Sequence, residues 1–349
     1  MQAYTHEVMS ILKGSAEYTA LGNTDGIEGK LQVSRFADGE MEVSVDTSVR
    51  GRDVFLFANA SRNPLDLSVE ECKVEIYHAV DALRRAQAAS ITLFEPYCSC
   101  GRSDRTTRRN SVGLWMHYKT LVGLGVNHII TYQLHSDLSK TMVDPTLCAF
   151  DNVPAQVLLK RHIADNFIRS EDTLLKDVRS RWLFCSVDAG GEGMAKRFGV
   201  SFGTSIVIAH KQRDYSTTNK IESVNILSSV PIEGRSVWVI DDMIDTASSV
   251  YVLVKELARR GVASVNIAVI HAVCSGPACE RLHELCESGY LKNLIVCDTI
   301  ACPQKMRDLV PCLRVVSSAE LSAAIVFRLN QDMALSDFFM PFNARRYLA

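Results

Sequence analysis

Short apolar runs alternate with amphipathic helical stretches along most of this chain. Helical patterns such as Val69–Ala88 and Ser248–Arg260 carry apolar residues at helical spacing and basic residues near their ends. The strand candidates are Val54–Ala58, Ile91–Phe94, His128–Leu134, Trp182–Ser186, Thr204–Ala209, Val237–Ile240, Val265–Ile270 and Asn293–Cys297. Strands separated by helices predict mainly parallel sheets with helices on both faces. We therefore expect an α/β fold, in which ligands bind outside the carboxyl ends of the strands.

The length of 349 residues suggests two domains of ordinary size. Each half of the chain is a series of strand–helix units of similar size, and we place the boundary near 151–156. The expected domains are then 1–152 and 153–349. The last helical stretch, Ser318–Gln331, is a candidate to cross back onto the first half.

The composition excludes several classes of protein. Hydrophobic residues make up 47% and charged residues 22%, so the chain can bury a substantial core. A net charge of −2 argues against nucleic-acid binding as the main function. The apolar runs are far shorter than the ~20 residues needed to span a bilayer, and the N-terminus lacks a signal-peptide pattern. We expect no nucleic-acid partner and no membrane association.

Eleven cysteines are scattered along the chain without a framework spacing. This usage is typical of a reduced, cytoplasmic protein with buried thiols. Cys98 and Cys100 form a CxC pair without a matching second pair, so ordinary packing is favoured over a zinc site.

An apolar run at Val237–Ile240 leads directly into Asp241 and Asp242, and Asp245 follows. Burying a charge is costly, so acids at the end of a buried strand indicate a ligand crevice. Alternation along a strand points neighbouring side chains in opposite directions, so one acid can face a ligand while the other caps the turn or meets a metal. An ordinary strand–loop–helix turn with a capping Asp is the alternative, but three Asp in five residues favour a site.

The residues after these acids, Thr246, Ala247, Ser248 and Ser249, lead into the next predicted helix. Backbone N–H groups at the start of a helix form a phosphate site, and the hydroxyl groups add donors. Acids beside a phosphate site suit a sugar phosphate, because the acids can bind the ribose hydroxyls.

The run from Val239 to Ser249 resembles the phosphoribosyl pyrophosphate loop of type I phosphoribosyltransferases and, more closely, of ribose-phosphate pyrophosphokinases. Further segments similar to the second family occur in the family's order: Arg35–Phe57, Pro96–Arg108, Ile130–Asp137, Ser186–Phe198, His210–Arg213 and Leu294–Ile300. The resemblance implies two similar phosphoribosyltransferase-like domains, each with a mainly parallel sheet flanked by helices. It also implies Mg²⁺-dependent transfer of the β,γ-diphosphate of ATP to the anomeric hydroxyl of ribose 5-phosphate.

The resemblance assigns the first domain to ATP. The residues concerned are Phe36, Asp38, Glu40, Arg102, Ser103, Asp104, Arg105 and His135. Phe36 would stack on adenine, in a pocket that the family forms across a subunit interface, so a homo-oligomer is implied. The competing interpretation of Phe36 is a residue buried in the core. The resemblance makes His135 a metal ligand, and the competing interpretation is a histidine with a structural role.

The resemblance assigns the second domain to the ribose phosphate. The residues concerned are Asp188, Asp241, Asp242, Asp245, Thr246, Ala247, Ser248 and Ser249, and Asp188 is also implied as a metal ligand. Lys211 and Arg213 are implied as catalytic cations on a mobile loop. The competing interpretation of Lys211 and Arg213 is a solvated basic turn. The competing interpretation of the loop at Asp188 is a simple glycine turn.

The chain departs from the family pattern around the ligands. Ser248 stands where the family usually has glycine, Ser103 replaces a glutamine, and Gln133 replaces an acid near the metal histidine. Trp115 and His117 give the helix after the ATP loop bulky residues. One alternative is therefore a larger acceptor, such as the terminal ribose of ADP-ribose. Two others are a non-catalytic regulatory homologue that binds an active synthetase and a phosphoribosyltransferase.

Overall fold

A computed structural model describes residues 1–21, 28–61, 63, 65–106, 108–169, 175–213 and 221–348, with the backbone alone at 211–213 and 221–223. The chain forms two compact units. The first comprises Met1–Pro154 and Ser318–Phe339, and the second comprises Ala155–Ser317 and Met340–Ala349.

The helices in chain order are α1 Gln2–Gly14, α2 Ala16–Ala20, α3 Val69–Arg85, α4 Gly113–Leu124, α5 Gln156–Ala164, α6 Leu175–Arg181, α7 Glu192–Phe202, α8 Ser248–Arg259, α9 Ala278–Glu287, α10 Gln304–Leu309, α11 Ala319–Asn330 and α12 Ala344–Leu348. The strands are β1 Leu31–Arg35, β2 Met41–Val45, β3 Asp53–Phe57, β4 Ser90–Glu95, β5 His128–Tyr132, β6 Ala149–Val153, β7 Trp182–Ser186, β8 Ile206–Arg213, β9 Ile221–Ser228, β10 Ser236–Ile244, β11 Ser264–Ala272, β12 Leu291–Cys297 and β13 Leu313–Val316. Short 3-10 helices occupy Asp137–Met142 and Ser336–Phe339, and a π-helical stretch occupies Asp165–Arg169.

The first unit contains a parallel sheet in the order β3-β4-β5-β6 and a separate antiparallel hairpin of β1 and β2. Helix α3 begins with a capping box, in which the Ser68 hydroxyl accepts from the Glu71 N–H and the Glu71 carboxylate accepts from the Ser68 N–H. Its apolar face, including Ile76, Val80 and Leu83, is buried in the core of the unit. The cap and this stripe fix the helix against the sheet.

Helix α11 returns to the first unit and packs on α1. Ala319 and Ala323 of α11 lie in one apolar cluster with Val8 and Leu12 of α1. At the edge of this cluster the Tyr4 hydroxyl lies 2.9 Å from the Ser318 hydroxyl. The domain limits expected from the sequence stay a prediction.

The second unit contains a sheet in the order β13-β12-β11-β10-β7-β8-β9. All neighbouring strands are parallel except β8 and β9, which are antiparallel. Strand β10 lies between β7 and β11, and its residues 237–240 are almost completely buried. The α/β fold with mainly parallel sheets is confirmed.

Each strand candidate from the sequence overlaps a strand of the structure, and the candidates Val54–Ala58, His128–Leu134 and Thr204–Ala209 extend one or two residues beyond it. The hairpin β1–β2 and the strands β6, β9 and β13 were missed. Every residue of β1 is exposed, and β13 has only four residues, so neither gives the continuous apolar run of a central strand.

The expectation of reduced cysteines is wrong at one place, because a disulfide joins Cys286 of α9 to Cys312. Their Cα atoms lie 6.5 Å apart, which brings the two segments within bonding reach. The other nine cysteines are free thiols. Within the part of the chain that the structure describes, no helix has the length and apolar character to cross a membrane.

Candidate functional site

Strand β10 is longer than the sequence predicted, and Asp241 and Asp242 lie inside its last part, both half-buried. The Asp241 Oδ1 accepts a hydrogen bond of 3.0 Å from the Asp242 N–H. The Asp242 Oδ1 accepts one of 3.0 Å from the Met243 N–H. The pairing of β10 with β7 ends at Ile240, so the two acids lie at the carboxyl end, where β10 continues along β11 alone.

Asp188 lies at the same edge of the sheet, two residues beyond the end of β7. Its Oδ1 accepts a hydrogen bond of 3.1 Å from the Gly191 N–H, which closes the loop that leads into α7. A Cβ placed on Gly191 would lie 3.8 Å from the Asp241 Oδ1, so this loop packs directly against Asp241. The structure thus brings Asp188 and Asp241 together, as the parallel strands predict.

The carboxylates at this edge interact unfavourably with one another. Burial raises the pKa of the Asp241 carboxyl well above its usual value, and the negative charges of Asp242 and Asp188 raise it further. The site therefore favours a ligand that offers positive charge or hydroxyl donors to these oxygens. Among the described residues no group of three or more His, Cys, Asp or Glu is arranged to hold a metal ion.

The loop from Asp245 to Ala247 connects β10 to α8, and Ser248 and Ser249 are the first residues of that helix. The Asp245 carboxylate accepts from the Ser275 hydroxyl, which ties the loop to the segment after β11. Ala247 has φ 58°, in the left-handed region that an alanine rarely adopts, and this turn directs the chain into α8. The N-cap residue of α8 is Ala247, whose methyl side chain makes no cap hydrogen bond to the first N–H groups of the helix.

Two hydroxyl groups and one cation meet beside the start of α8. The Thr246 Oγ1 lies 2.9 Å from the Ser248 Oγ. Arg281, on α9, donates from Nη1 to the Thr246 carbonyl at 2.7 Å and to the Ser248 Oγ at 2.6 Å. The sequence reasoning missed Arg281, because it lies 33 residues from Ser248 and no local motif marks it.

In the first unit, the loop after β4 carries the residues from Arg102 to Arg105. Arg102 and Arg105 are exposed, whereas Ser103 and Asp104 are half-buried. The Ser103 hydroxyl accepts a hydrogen bond of 3.0 Å from the Gly113 N–H and so joins the loop to the start of α4. Ser103 thus has a structural contact that fixes the loop.

His135 is exposed and follows β5. A Cβ placed on Gly101 would lie 3.8 Å from the His135 Cβ, so His135 lies beside the loop that carries Arg102. Gln133, two residues before His135, has φ 43°, and its N–H donates to the Val153 carbonyl at 3.0 Å. The carboxyl ends of β4 and β5 therefore bring His135 and the arginine loop together.

Phe36, Asp38 and Glu40 form the turn of the hairpin β1–β2. The Phe36 N–H donates to the Glu40 carbonyl at 2.8 Å, and the Asp38 carboxylate accepts from the Glu40 N–H at 3.1 Å. Phe36 is 56% exposed. The interpretation of Phe36 as a buried core residue is therefore wrong.

Lys211 and Arg213 lie at the end of β8, where their backbone pairs with β9. Their side chains lie outside the described part of the chain, as does the segment 214–220. Trp115 is exposed on α4, with the Lys119 ammonium 4.5 Å from its ring centroid. His117 lies on the same helix, one turn after its start, and is buried.

Comparison with known proteins shows which families and structures this chain is similar to. A family model described as the N-terminal domain of ribose phosphate pyrophosphokinase matches residues 22–125, and a phosphoribosyl transferase domain model matches residues 159–301. The chain is 30% identical over 312 residues to a ribose-phosphate pyrophosphokinase of Fusobacterium nucleatum, covering 89% of this chain and 90% of that protein. It is 32% identical over 317 residues to ribose-phosphate pyrophosphokinase 1 of Streptococcus pneumoniae, covering 90% of each. The crystal structure of phosphoribosylpyrophosphate synthetase from Mycobacterium smegmatis superposes with a TM-score of 0.77 and 25% identity, covering 95% of this chain and 96% of that one.

Proposed function

Since the chain belongs to the ribose-phosphate pyrophosphokinase family of enzymes, we propose that it transfers the β,γ-diphosphate of ATP to the anomeric hydroxyl of ribose 5-phosphate. The products are phosphoribosyl pyrophosphate and AMP. In this reaction the anomeric oxygen forms a bond to the β-phosphorus, and the bond from that phosphorus to the oxygen bridging the α- and β-phosphates breaks. The hydroxyl proton is released and AMP leaves.

The observation that carries the proposal is the edge of the second sheet where Asp188 and Asp241 meet beside the start of α8. Carboxylates accept hydrogen bonds from ribose hydroxyls, and the N–H groups of a helix start bind a phosphate. We assign the ribose phosphate to the following residues: Asp188, Asp241, Asp242, Asp245, Thr246, Ala247, Ser248 and Ser249. The second domain, 153–349, is then the sugar-phosphate domain.

The donor chemistry at this edge fits a magnesium ion. Mg²⁺ commonly binds one or two protein carboxylates and completes its shell with water and substrate phosphates, so it does not need a larger cluster. Burial and then the negative charges of Asp242 and Asp188 raise the pKa of Asp241, and a divalent cation would relieve the repulsion among these carboxylates. We assign Asp188 as a metal ligand of the second unit and, separately, His135 as a metal ligand of the first. A metal ion held by His135 would neutralise charge on the ATP phosphates.

We assign ATP to the first domain, 1–152. The exposed ring of Phe36 is available to stack on adenine, and Asp38 and Glu40 lie in the same turn. The loop residues Arg102, Ser103, Asp104 and Arg105, with His135 beside them, would bind the phosphates, for which arginine provides bidentate donors.

The proposal includes the cations Lys211 and Arg213, which would stabilise the charge on the transferring group. We also propose a homo-oligomer that works in the cytoplasm. The strand β1 presents Leu31 and Val33 to the surface beside Phe36, which suits contact with a second copy near the adenine.

The test is an acceptor panel. The purified protein is incubated with ATP and MgCl₂ and with ribose 5-phosphate, ADP-ribose or ribose without phosphate, and AMP and the sugar product are identified by mass spectrometry. We expect AMP and phosphoribosyl pyrophosphate with ribose 5-phosphate, loss of both with EDTA, and no turnover with ribose.

The other outcomes decide between the alternatives. Faster turnover with ADP-ribose would replace the acceptor and keep the chemistry. No AMP with any acceptor, together with tight binding to an active synthetase, would instead identify a regulatory homologue. Consumption of phosphoribosyl pyrophosphate with a purine or pyrimidine base would identify a phosphoribosyltransferase.

A further inference from the structure

Arg281 is held against the loop between β10 and α8 by two short hydrogen bonds from one nitrogen. Its Nη1 donates to the Thr246 carbonyl at 2.7 Å and to the Ser248 Oγ at 2.6 Å. Arg281 forms no salt bridge with an acid within the described residues. Its positive charge is therefore directed at Thr246 and Ser248.

The contacts among Arg281, Thr246 and Ser248 determine which group donates and which accepts in each hydrogen bond. Arg281 can only donate, so the Ser248 oxygen must accept from it. Thr246 and Ser248 are 2.9 Å apart, so one of their two hydroxyl protons lies between them. The second hydroxyl proton remains available to an acceptor. Whichever of the two hydroxyls holds that proton, the pair presents one outward donor.

A positive charge strengthens that donor. A hydroxyl that accepts from a charged group becomes a better donor in turn, because hydrogen bonds in a chain polarise one another. The outward donor lies next to the start of α8, where the N-cap residue Ala247 has no side chain that can accept from the helix N–H groups. An anionic oxygen placed there would accept from the helix N–H groups and from the polarised hydroxyl together.

We infer that Arg281 is a positioning residue of this site, which acts through Ser248 and Thr246 to direct one hydroxyl donor at the phosphate of the acceptor sugar. This inference rests on the proposed function of the loop. It also gives Ser248 a role, since its side chain is held by Arg281 and becomes part of the donor set.

The main experiment measures steady-state kinetics of Arg281→Ala, Arg281→Lys, Ser248→Ala and the double variant Arg281→Ala/Ser248→Ala. We expect Arg281→Ala to raise KM for ribose 5-phosphate about tenfold, the size expected for a charge-assisted hydrogen bond. KM for ATP should stay within about twofold and kcat within about threefold. Arg281→Lys should recover part of the loss, because it keeps the charge without the fixed geometry.

The double variant separates positioning from a general loss of charge. If Arg281 acts through Ser248, the double variant should be hardly worse than Arg281→Ala alone, because both changes break one chain of hydrogen bonds. The matched control is Arg259→Ala, which removes an arginine from the far end of α8, where it pairs with Glu256. This control should leave KM for both substrates unchanged.

Failure of the inference and failure of the proposed function give different results. The inference alone would be overturned if wild type turns over and Arg281→Ala has an unchanged KM for ribose 5-phosphate. It would also be overturned if Arg281→Ala raises KM for ATP as much as KM for ribose 5-phosphate. If wild type has no turnover, the proposed function fails, and calorimetric titration with ribose 5-phosphate and inorganic phosphate decides the inference. Weaker binding by folded Arg281→Ala or Ser248→Ala supports it, whereas equal binding or no binding by wild type overturns it.

Discussion

Glu95 and His117 are paired in the interior of the first unit, with the Glu95 Oε2 3.3 Å from the His117 Nε2 and both side chains completely buried. Tyr77 lies on the other side of the imidazole, its hydroxyl 2.9 Å from the His117 Nδ1. The Glu95 Oε1 has no hydrogen-bond partner among the residues that the structure describes. Glu95 ends β4, directly before the loop that carries Arg102, so this polar pair supports that loop from inside the fold.

Replacing His117 with leucine should destabilise the protein strongly, because it leaves the Glu95 carboxylate buried without its partner. We expect the free energy of unfolding to fall by about 3–5 kcal/mol. The double variant Glu95→Leu/His117→Leu should be much closer to wild type, since no buried charge remains. Urea denaturation followed by circular dichroism measures both. A double variant as unstable as the single one would show that the pair itself, rather than its uncompensated charge, stabilises the unit.

Lys160 predicts a pH dependence of stability. It is 4% exposed, and burial, with the nearby charge of Arg197, lowers its pKa to about 7. Between pH 7 and the ordinary pKa near 10.5, the unfolded state binds a proton that the native state does not. The free energy of unfolding should therefore rise with pH in this range, by about 2 kcal/mol from pH 7 to pH 9.

The control for this prediction is Lys160→Met, which keeps an unbranched side chain over the Phe198 ring, where the ammonium now lies 4.8 Å from the centroid. This variant should lack the rise. Guanidinium denaturation at pH 7 and pH 9 compares the two proteins. Parallel pH dependence in wild type and Lys160→Met would assign the effect to other groups.

Asp242→Asn should mainly weaken the sugar-phosphate substrate. The change removes a negative charge at the end of β10 and keeps an oxygen that can accept from the Met243 N–H, so the fold should survive. We expect KM for ribose 5-phosphate to rise about tenfold or more, and KM for ATP to change little. Initial rates over a matrix of both substrates measure this. If only KM for ATP changes, the loop that contains Asp242 binds ATP and not the sugar phosphate.

Lys211→Ala should lower kcat much more than it weakens ATP binding, because the charge acts mainly on the developing transition state. We expect a loss of about 100-fold or more in kcat, with KM for ATP within about threefold. Single-turnover quench experiments separate chemistry from product release. Normal kcat with a raised KM would assign Lys211 to ground-state binding only.

Phe36→Ala should raise KM for ATP and leave stability almost unchanged, since the ring is 56% exposed and little packing is lost. Base–aromatic stacking contributes ~1–3 kcal/mol in other systems, so a rise of about tenfold is expected. Phe36→Trp should keep most of the affinity because it retains a stacking surface. The matched control is Leu65→Ala, another exposed apolar residue of the same unit, which should have no effect on KM.

The central strands and the strand-end acids could be predicted from local sequence. Val237–Ile240 forms a fully apolar run, and a short run of this kind before a helix is typical of a buried parallel strand. Asp188 and Asp241 could then be expected at one edge, because parallel strands align their carboxyl ends.

The contacts that hold these acids and loops in place could not be predicted in this way. Arg281 meets Ser248 across 33 residues, and His117 meets Glu95 across 22, so no local spacing signals either pair. Tertiary packing, rather than local pattern, determines these two pairs. The antiparallel strand β9 was missed for another reason, because its buried residues alternate with exposed ones and do not form the continuous apolar run that marked the other strands.

The return of α11 to the first unit also constrains how the protein is made. Val8 and Leu12 emerge from the ribosome early, but their partners Ala319 and Ala323 emerge only after the stretch Ala155–Ser317 of the second unit has been synthesised. At roughly 5–20 residues per second, the apolar face of α1 waits on the order of 15–60 s for its cover. The second unit has a continuous stretch of chain for its sheet and can fold during that interval. The nascent first unit is thus the part of this chain most exposed to chaperones and to misassociation.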